Sequence, residues 1–175
     1  MVREAVCDSS TLILLARAGI LGGIFHYVSV VHIPPAVFKE AVERGKEKGK
    51  EDALVIEREI ESGRIRVTEM PSRRGVDEVL KNFHMDAGEA EAIALCAGRH
   101  ALFLGTDDRE AVKACRVYGI PFTTALAIAV KLAKERKISK ERAALAIDKL
   151  QDIGFYSKEI MSLARKEAGI DGTSD

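Results

Sequence analysis

The sequence predicts an α/β fold, a parallel β-sheet with helices covering both faces. Two observations carry this. Short runs rich in β-branched residues alternate along the chain with longer runs of helical periodicity. Turn and stop signals (Gly19, Pro34-Pro35, Gly63 and Gly119) separate the runs at the right places.

Glu4 to Cys7 reads as a short buried strand ending at Asp8. Thr11 to Ala18 reads as a helix stopped by Gly19, and Ile20 to His26 as a second, shorter one. Tyr27 to Ile33 is strand two, by its β-branched content, and Pro34-Pro35 ends it. Pro35 suits the first position of the next helix, where its missing N–H is not needed. That helix runs from Ala36 to Glu43, followed by a charged loop from Lys46 to Lys50. Asp52 to Glu61 is a helix closed by Gly63, and Arg64 to Thr68 is strand three. Met70 to Arg74 reads as a surface loop. Gly88 to Ala97 is a helix, Ala101 to Leu104 strand four, and Arg109 to Tyr118 a helix stopped by Gly119. Ile120 to Thr123 is strand five, placed at a sheet edge by Pro121. Thr124 to Arg136, Lys140 to Ile153 and Ser157 to Ala168 read as helices, and the tail from Asp171 as frayed.

A length of 175 residues suits one domain with one core, and no repeat or linker divides it. Hydrophobic residues at 47% and charged residues at 31% give an ordinary globular balance, which excludes global disorder. Lys plus Arg and Asp plus Glu both number 27, so any grip on a polyanion must come from a local patch or a bound metal. No apolar run approaches the length of a membrane span, and the N-terminus lacks the features of a secretory signal. Cys7, Cys96 and Cys115 fit neither a zinc site nor a disulfide framework, and a cytoplasmic, reducing compartment is expected. With no Trp and 5% aromatics, base stacking is not the expected mode of recognition.

In open α/β sheets, sites form at the carboxyl ends of strands. Asp8 follows strand one and Asp107-Asp108 follow strand four. Glu40 lies early in the helix after strand two, and Glu89 in the first turn of the helix before strand four. Clustered carboxylates repel one another unless a cation compensates. Mg²⁺ or Mn²⁺, with oxygen ligands, does so and can also activate water and orient a phosphate. Ser9, Ser10 and Thr106 supply hydroxyls beside these positions, so the pattern suits phosphodiester hydrolysis.

Each carboxylate alone has a plainer reading. Asp8 and Asp107 can cap the helices that follow them, and Asp86 with Glu89 has the form of a capping box. Glu40 can be a solvated helix residue. The case rests on all of them meeting at one edge. His26, His32, His84 and His100 show no metal-ligand spacing and read as structural, and the cysteines as core. The basic run Lys131, Lys134, Arg136, Lys137, Lys140 and Arg142 has two readings, a phosphate grip or a solvated helix face.

These residues resemble the motifs of PIN domains. Val6-Cys7-Asp8-Ser9-Ser10-Thr11 is similar to the family's opening motif, and Ile33-Pro34-Pro35-Ala36-Val37-Phe38-Lys39-Glu40 to its second segment. Gly88-Glu89-Ala90-Glu91 and Leu104-Gly105-Thr106-Asp107-Asp108 resemble the third and fourth. The resemblance spans about residues 4–136 and is nearest to a prokaryotic branch related to VapC-type toxins. It implies a three-layer α/β/α sandwich with a five-stranded parallel sheet of order 3-2-1-4-5. The single domain then has its core at about 4–136, with C-terminal helices over 139–168 packed on it. The resemblance also implies Mg²⁺- or Mn²⁺-dependent RNA cleavage, a homodimer, and an antitoxin partner. Asp8, Glu40 and Glu89 are the implied ligands, with Asp107 or Asp108 as the fourth. Thr-x-Asp spacing favours Asp108, and the strand end favours Asp107. Glu91 stands near enough in sequence to support the site or to face solvent, and Glu89 replaces the Asp of many members.

Two other carboxylate-using α/β classes fit less well. A haloacid-dehalogenase-type phosphatase wants an Asp where Ser10 stands, and a response-regulator receiver wants a Lys where Phe122-Thr123-Thr124 stands. A module that binds RNA or a protein without cutting is the alternative function.

Overall fold

The computed structural model describes residues 3–70 and 72–170. Five strands form one sheet: β1 (Glu4–Cys7), β2 (Val30–Ile33), β3 (Ile65–Val67), β4 (Leu104–Gly105) and β5 (Phe122–Thr123). Their order is β3-β2-β1-β4-β5, and every neighbouring pair is parallel. This is the predicted sandwich and strand order, with β5 at an edge.

Alternation along β1 builds the two outer layers. Ala5 and Cys7 join one apolar cluster, while Val6 joins the other, and all three are fully buried. On the Ala5 face lie α1 (Ser9–Arg17), α4 (Glu51–Glu61), α8 (Ala125–Lys134), α9 (Lys140–Ile153) and α10 (Lys158–Ala168). On the Val6 face lie α5 (Arg74–Asn82), α6 (Ala87–Arg99) and α7 (Arg109–Tyr118). Leu12 and Leu15 of α1 are fully buried, each worth about 1.5–3 kcal/mol by removal from water. Helices α9 and α10 pack on α8, and α9 also meets α1.

Several boundaries differ from expectation. Strand two begins at Val30, because Tyr27 closes a 3₁₀ turn over Leu21–His26 by donating its N–H to Ile24 O. Strand four lies at Leu104–Gly105, later than the predicted Ala101–Leu104. Leu102 and Phe103 are already tied to β1, but the ladder register pairs Val6 with Leu104 and Cys7 with Gly105. Gly105 belongs in the strand for lack of space: a Cβ there would lie 2.7 Å from Cys7 Sγ.

After β2, α2 (Pro35–Phe38) passes through a π-helical turn at Lys39–Glu43 into α3 (Arg44–Glu47). The helical run therefore extends into the predicted loop at Lys46–Lys50. Helix α5 was not foreseen beyond the loop at Met70–Arg74. It lacks a side-chain cap and carries Gly75, so its start is unmarked, although Val76, Val79 and Leu80 recur at helical spacing. The expected fraying from Asp171 lies outside the described residues. Among the described residues, no helix is long and apolar enough to cross a membrane.

The residues read as structural have structural surroundings. Cys7, Cys96 and Cys115 are free and buried. His32 is buried, with Nδ1 2.7 Å from Thr68 Oγ1 and Nε2 3.4 Å from Glu4 Oε2.

Candidate active site

The carboxyl edge of the sheet gathers the predicted acidic segments around the end of β1. Asp8 follows Cys7, and its N–H donates to Gly105 O at 3.0 Å, fixing the end of β1 beside the end of β4. Asp8 is also the N-cap of α1. Its Oδ1 accepts from the Thr11 N–H at 2.9 Å and from the Ser10 hydroxyl at 2.8 Å. Its Oδ2 is buried and has no hydrogen-bond partner among the described residues. The Thr106 hydroxyl favours the charged form of Asp8 without reaching hydrogen-bond geometry with Oδ2. Burial pushes the Asp8 carboxyl up to about 6; the Thr106, Thr11 and Ser10 donors oppose the rise, and the Asp107 charge adds to it.

Asp107 and Asp108 divide the work after β4. Asp107 has both oxygens engaged. Oδ2 accepts from the Thr11 hydroxyl at 2.7 Å and the Ala125 N–H at 2.9 Å, and Oδ1 accepts from the Tyr156 hydroxyl. Asp107 thus ties β4 to the starts of α1 and α8. Asp108, rather than the expected Asp107, caps α7 through one oxygen, Oδ1, which accepts the Ala111 N–H at 2.8 Å. Its own N–H donates to Thr106 Oγ1 at 3.2 Å.

Glu89 sits in the first turn of α6, and the capping box expected there is formed: Glu89 Oε2 accepts from the Asp86 N–H at 3.0 Å. Burial nevertheless pushes its carboxyl up to about 7; the Asp86 N–H opposes this, and the charges of Asp108 and Asp8 add to it. Both the capping and the clustering readings therefore hold for this residue. Glu40, in the π turn, is exposed and accepts from the Ser9 hydroxyl at 2.7 Å. A π turn adds a residue to the helix and re-aims the side chains it carries.

Ser9, Ser10 and Thr106 each touch the acidic segments, Ser10 also accepting the Asp107 N–H at 3.3 Å. Glu91 turns elsewhere, to Arg73 at 3.9 Å. Half of the C-terminal basic run has an occupied head: Lys131 is near Glu135 and stacks on Tyr27, Lys134 meets Glu167, and Arg142 donates to Gly19 O, while Arg136, Lys137 and Lys140 line a separate cleft. Most of the run lies toward the far end of α8 from Ala125, about 15 Å along the helix.

Tyr156 is the residue that sequence reasoning missed. It lies in the connection between α9 and α10 and reaches Asp107 across 49 positions of sequence. Burial raises its phenol, and the Asp107 charge adds to this. One local signal exists, Gly154. A Cβ at Gly154 would fall 2.4 Å from the Tyr156 ring, so glycine makes room for it. An apolar cleft of about 640 Å³ adjoins Tyr156 between α8 and α10, away from the Asp8 and Glu89 carboxylates.

No three His, Cys, Asp or Glu side chains among the described residues stand close enough to ligate one ion as placed. The donors still suit a hard divalent cation. They are all oxygens, one of them is a buried carboxylate oxygen without a partner, and the carboxyls of Asp8 and Glu89 are raised by burial and by neighbouring carboxylates, Asp107 for Asp8 and Asp108 and Asp8 for Glu89.

Fold and site together define a three-layer α/β protein with an acidic centre at the carboxyl edge of its sheet. A family model described as a PIN domain, DUF3368, matches residues 4–169, and the chain belongs to that family. Among solved structures, VapC20 of Mycobacterium tuberculosis, described as a sarcin-ricin loop cleaving toxin, is similar at 15% identity, covering 63% of this chain and 94% of that one, with a TM-score of 0.49. No curated protein matches.

Proposed function

We propose that the protein is a divalent-metal-dependent endoribonuclease that hydrolyses RNA phosphodiester bonds, acting as the toxin of a toxin–antitoxin pair. The observation that carries this reading is the buried, unpartnered Asp8 Oδ2 at the end of the central strand, electrostatically coupled to Glu89. Family membership supports the nuclease class, and PIN nucleases use divalent metal ions.

Asp8 and Glu89 are the ligands we assign first, with Glu40 completing the set from the π turn. For the fourth we choose Asp108 over Asp107. Asp107 already accepts three hydrogen bonds, whereas Asp108 spends only Oδ1 on its cap. A bound Mg²⁺ or Mn²⁺ would supply a polarised water and charge neutralisation at the phosphate. The chain's own groups do the positioning. Ser10 and the Thr11 N–H hold Asp8 Oδ1, which leaves Oδ2 as the oxygen available for ligation. Ser9 orients Glu40. Thr11, the Ala125 N–H and Tyr156 fix Asp107 as a brace for the loop that carries Asp108. RNA is the proposed substrate, and an antitoxin protein and a second copy of the chain are the proposed partners, in the cytoplasm.

One observation favours the alternative, a PIN module that binds without cutting: Glu89 Oε2 is committed to its capping box. Incubation with a mixed RNA pool and Mn²⁺, beside EDTA and Asp8→Asn controls, separates the two. Cleavage abolished by both controls supports the nuclease. Absence of cleavage by a folded wild type removes it and leaves the binding module.

A further inference from the structure

A groove of about 240 Å³ opens beside Glu40, between α1 and the helical run from α2 into α3. Its walls are two stripes. Ile13 and Arg17 lie four residues apart on α1, and Glu40, Arg44 and Lys48 recur every four residues on the facing run. The Ser9–Glu40 hydrogen bond, 2.7 Å, pins the stripes together at the carboxylate end. Lys50 and Asp52 line the groove from the start of α4. Gly45 brings that start close: a Cβ on it would lie 2.7 Å from Ala53 Cβ, and its carbonyl accepts the Lys50 N–H at 2.9 Å.

The groove is cationic. Arg17, Arg44, Lys48 and Lys50 are exposed, and among the described residues none forms a salt bridge. By contrast, nearby Lys46 meets Glu57 at 2.6 Å. The groove's only carboxylates are Glu40, already bonded to Ser9, and Asp52. Crowding four cations around one small groove costs repulsion that a polyanion relieves. From Glu40 to Lys48 is about 12 Å along the helical run, longer than a single phosphate requires.

We infer that this groove is a backbone track for single-stranded RNA, in which Arg17, Arg44, Lys48 and Lys50 hold phosphates beyond the one cut at the carboxylates. The inference rests on the ribonuclease reading above. Arginine at two of the four positions suits phosphate, which its planar fork can grip with paired hydrogen bonds. Contacts to phosphate carry no sequence information, so the track supplies affinity and register rather than choice of sequence.

The test uses a fluorescein-labelled single-stranded RNA oligomer, titrated in EDTA across a salt series, with cleavage of a mixed RNA pool in Mn²⁺ followed separately. Arg17→Ala, Arg44→Ala and Lys48→Ala are combined in one variant, and Lys137→Ala with Lys140→Ala is the control. The triple variant should flatten the slope of log K against log salt by about 2, at about 0.7 per lost phosphate contact. It should bind at least tenfold more weakly at low salt and cleave more slowly, while the control matches wild type. An unchanged slope in the triple variant, beside a wild type that cleaves, overturns the track and spares the nuclease. A wild type that binds RNA but never cleaves it overturns the nuclease reading, and the track as part of a cleavage site with it. A wild type that does not bind without metal overturns the track.

Discussion

The hydroxyl of Tyr156 donates a hydrogen bond to Asp107 Oδ1, joining the α9–α10 connection to the acidic edge of the sheet. Tyr156→Phe removes this donor and leaves a partly buried carboxylate oxygen short of a partner. We expect a loss of about 1.5–3 kcal/mol, the usual range for a hydrogen bond to a charged group. Urea unfolding should show a lower midpoint with an unchanged m-value, and an unchanged midpoint would remove Tyr156 from the support of the site.

The raised carboxyls of Asp8 and Glu89 set a pH dependence. Asp8 moves from 3.8 to about 6 and Glu89 from 4.5 to about 7, so the metal-free native state binds more protons than the unfolded chain. Stability then falls as pH rises. The favourable contribution is complete below about pH 4 and lost by about pH 7. For Asp8 it amounts to about 3 kcal/mol, while half-exposed Glu89 contributes less after solvent screening. In EDTA the melting temperature should drop between pH 5 and about 7.5, and Asp8→Asn should flatten the drop. A wild-type profile level across that window would contradict the buried, unpartnered Asp8.

Saturating Mg²⁺ or Mn²⁺ should reverse that loss, since an ion that binds only the native state stabilises by about 2.7 kcal/mol at a hundredfold excess over Kd. Asp108→Asn should abolish most of the metal-induced rise in melting temperature. Asp107→Asn should lower the starting melting temperature but keep the rise. The opposite pattern would make Asp107 the ligand.

Gly105→Ala places a methyl 2.7 Å from Cys7 Sγ and 3.2 Å from Thr11 Cγ2. Overpacking of this kind costs about 1–3 kcal/mol. Cys7→Ala in the same chain should recover part of the loss, and a double-mutant cycle from denaturant melts measures the coupling. Strict additivity would show that the two strands adjust without conflict.

Much of the fold was legible because it is local. Asp8 follows β1 and caps the next helix, as its short-range spacing indicates, whereas the cap of α7 is Asp108 and not Asp107, whose oxygens are taken by donors distant in sequence. The order β3-β2-β1-β4-β5 followed from resemblance in the motifs, since periodicity specifies elements and leaves their neighbours open. Helix α5 was missed although Val76, Val79 and Leu80 recur at helical spacing; its start carries Gly75 and no side-chain cap to mark it. Strand β4 begins three residues later than expected because pairing with β1, a long-range contact, sets where the ladder begins.

The sequence by itself determined the alternation of strands and helices, the caps, and the positions along the chain of Asp8, Glu40, Glu89, Asp107 and Asp108. Tertiary structure decided what those carboxylates do. It saturated Asp107 with three donors from separate segments and buried one oxygen of Asp8 without a partner. It also decided which basic residues share a surface. Lys131, Lys134 and Arg142 of the C-terminal run turned to ion pairs, a ring and a carbonyl, while Arg17, Arg44, Lys48 and Lys50 met in one groove. The physical reason is that capping and periodicity act over three or four residues, whereas desolvation and charge crowding depend on what the folded chain brings alongside.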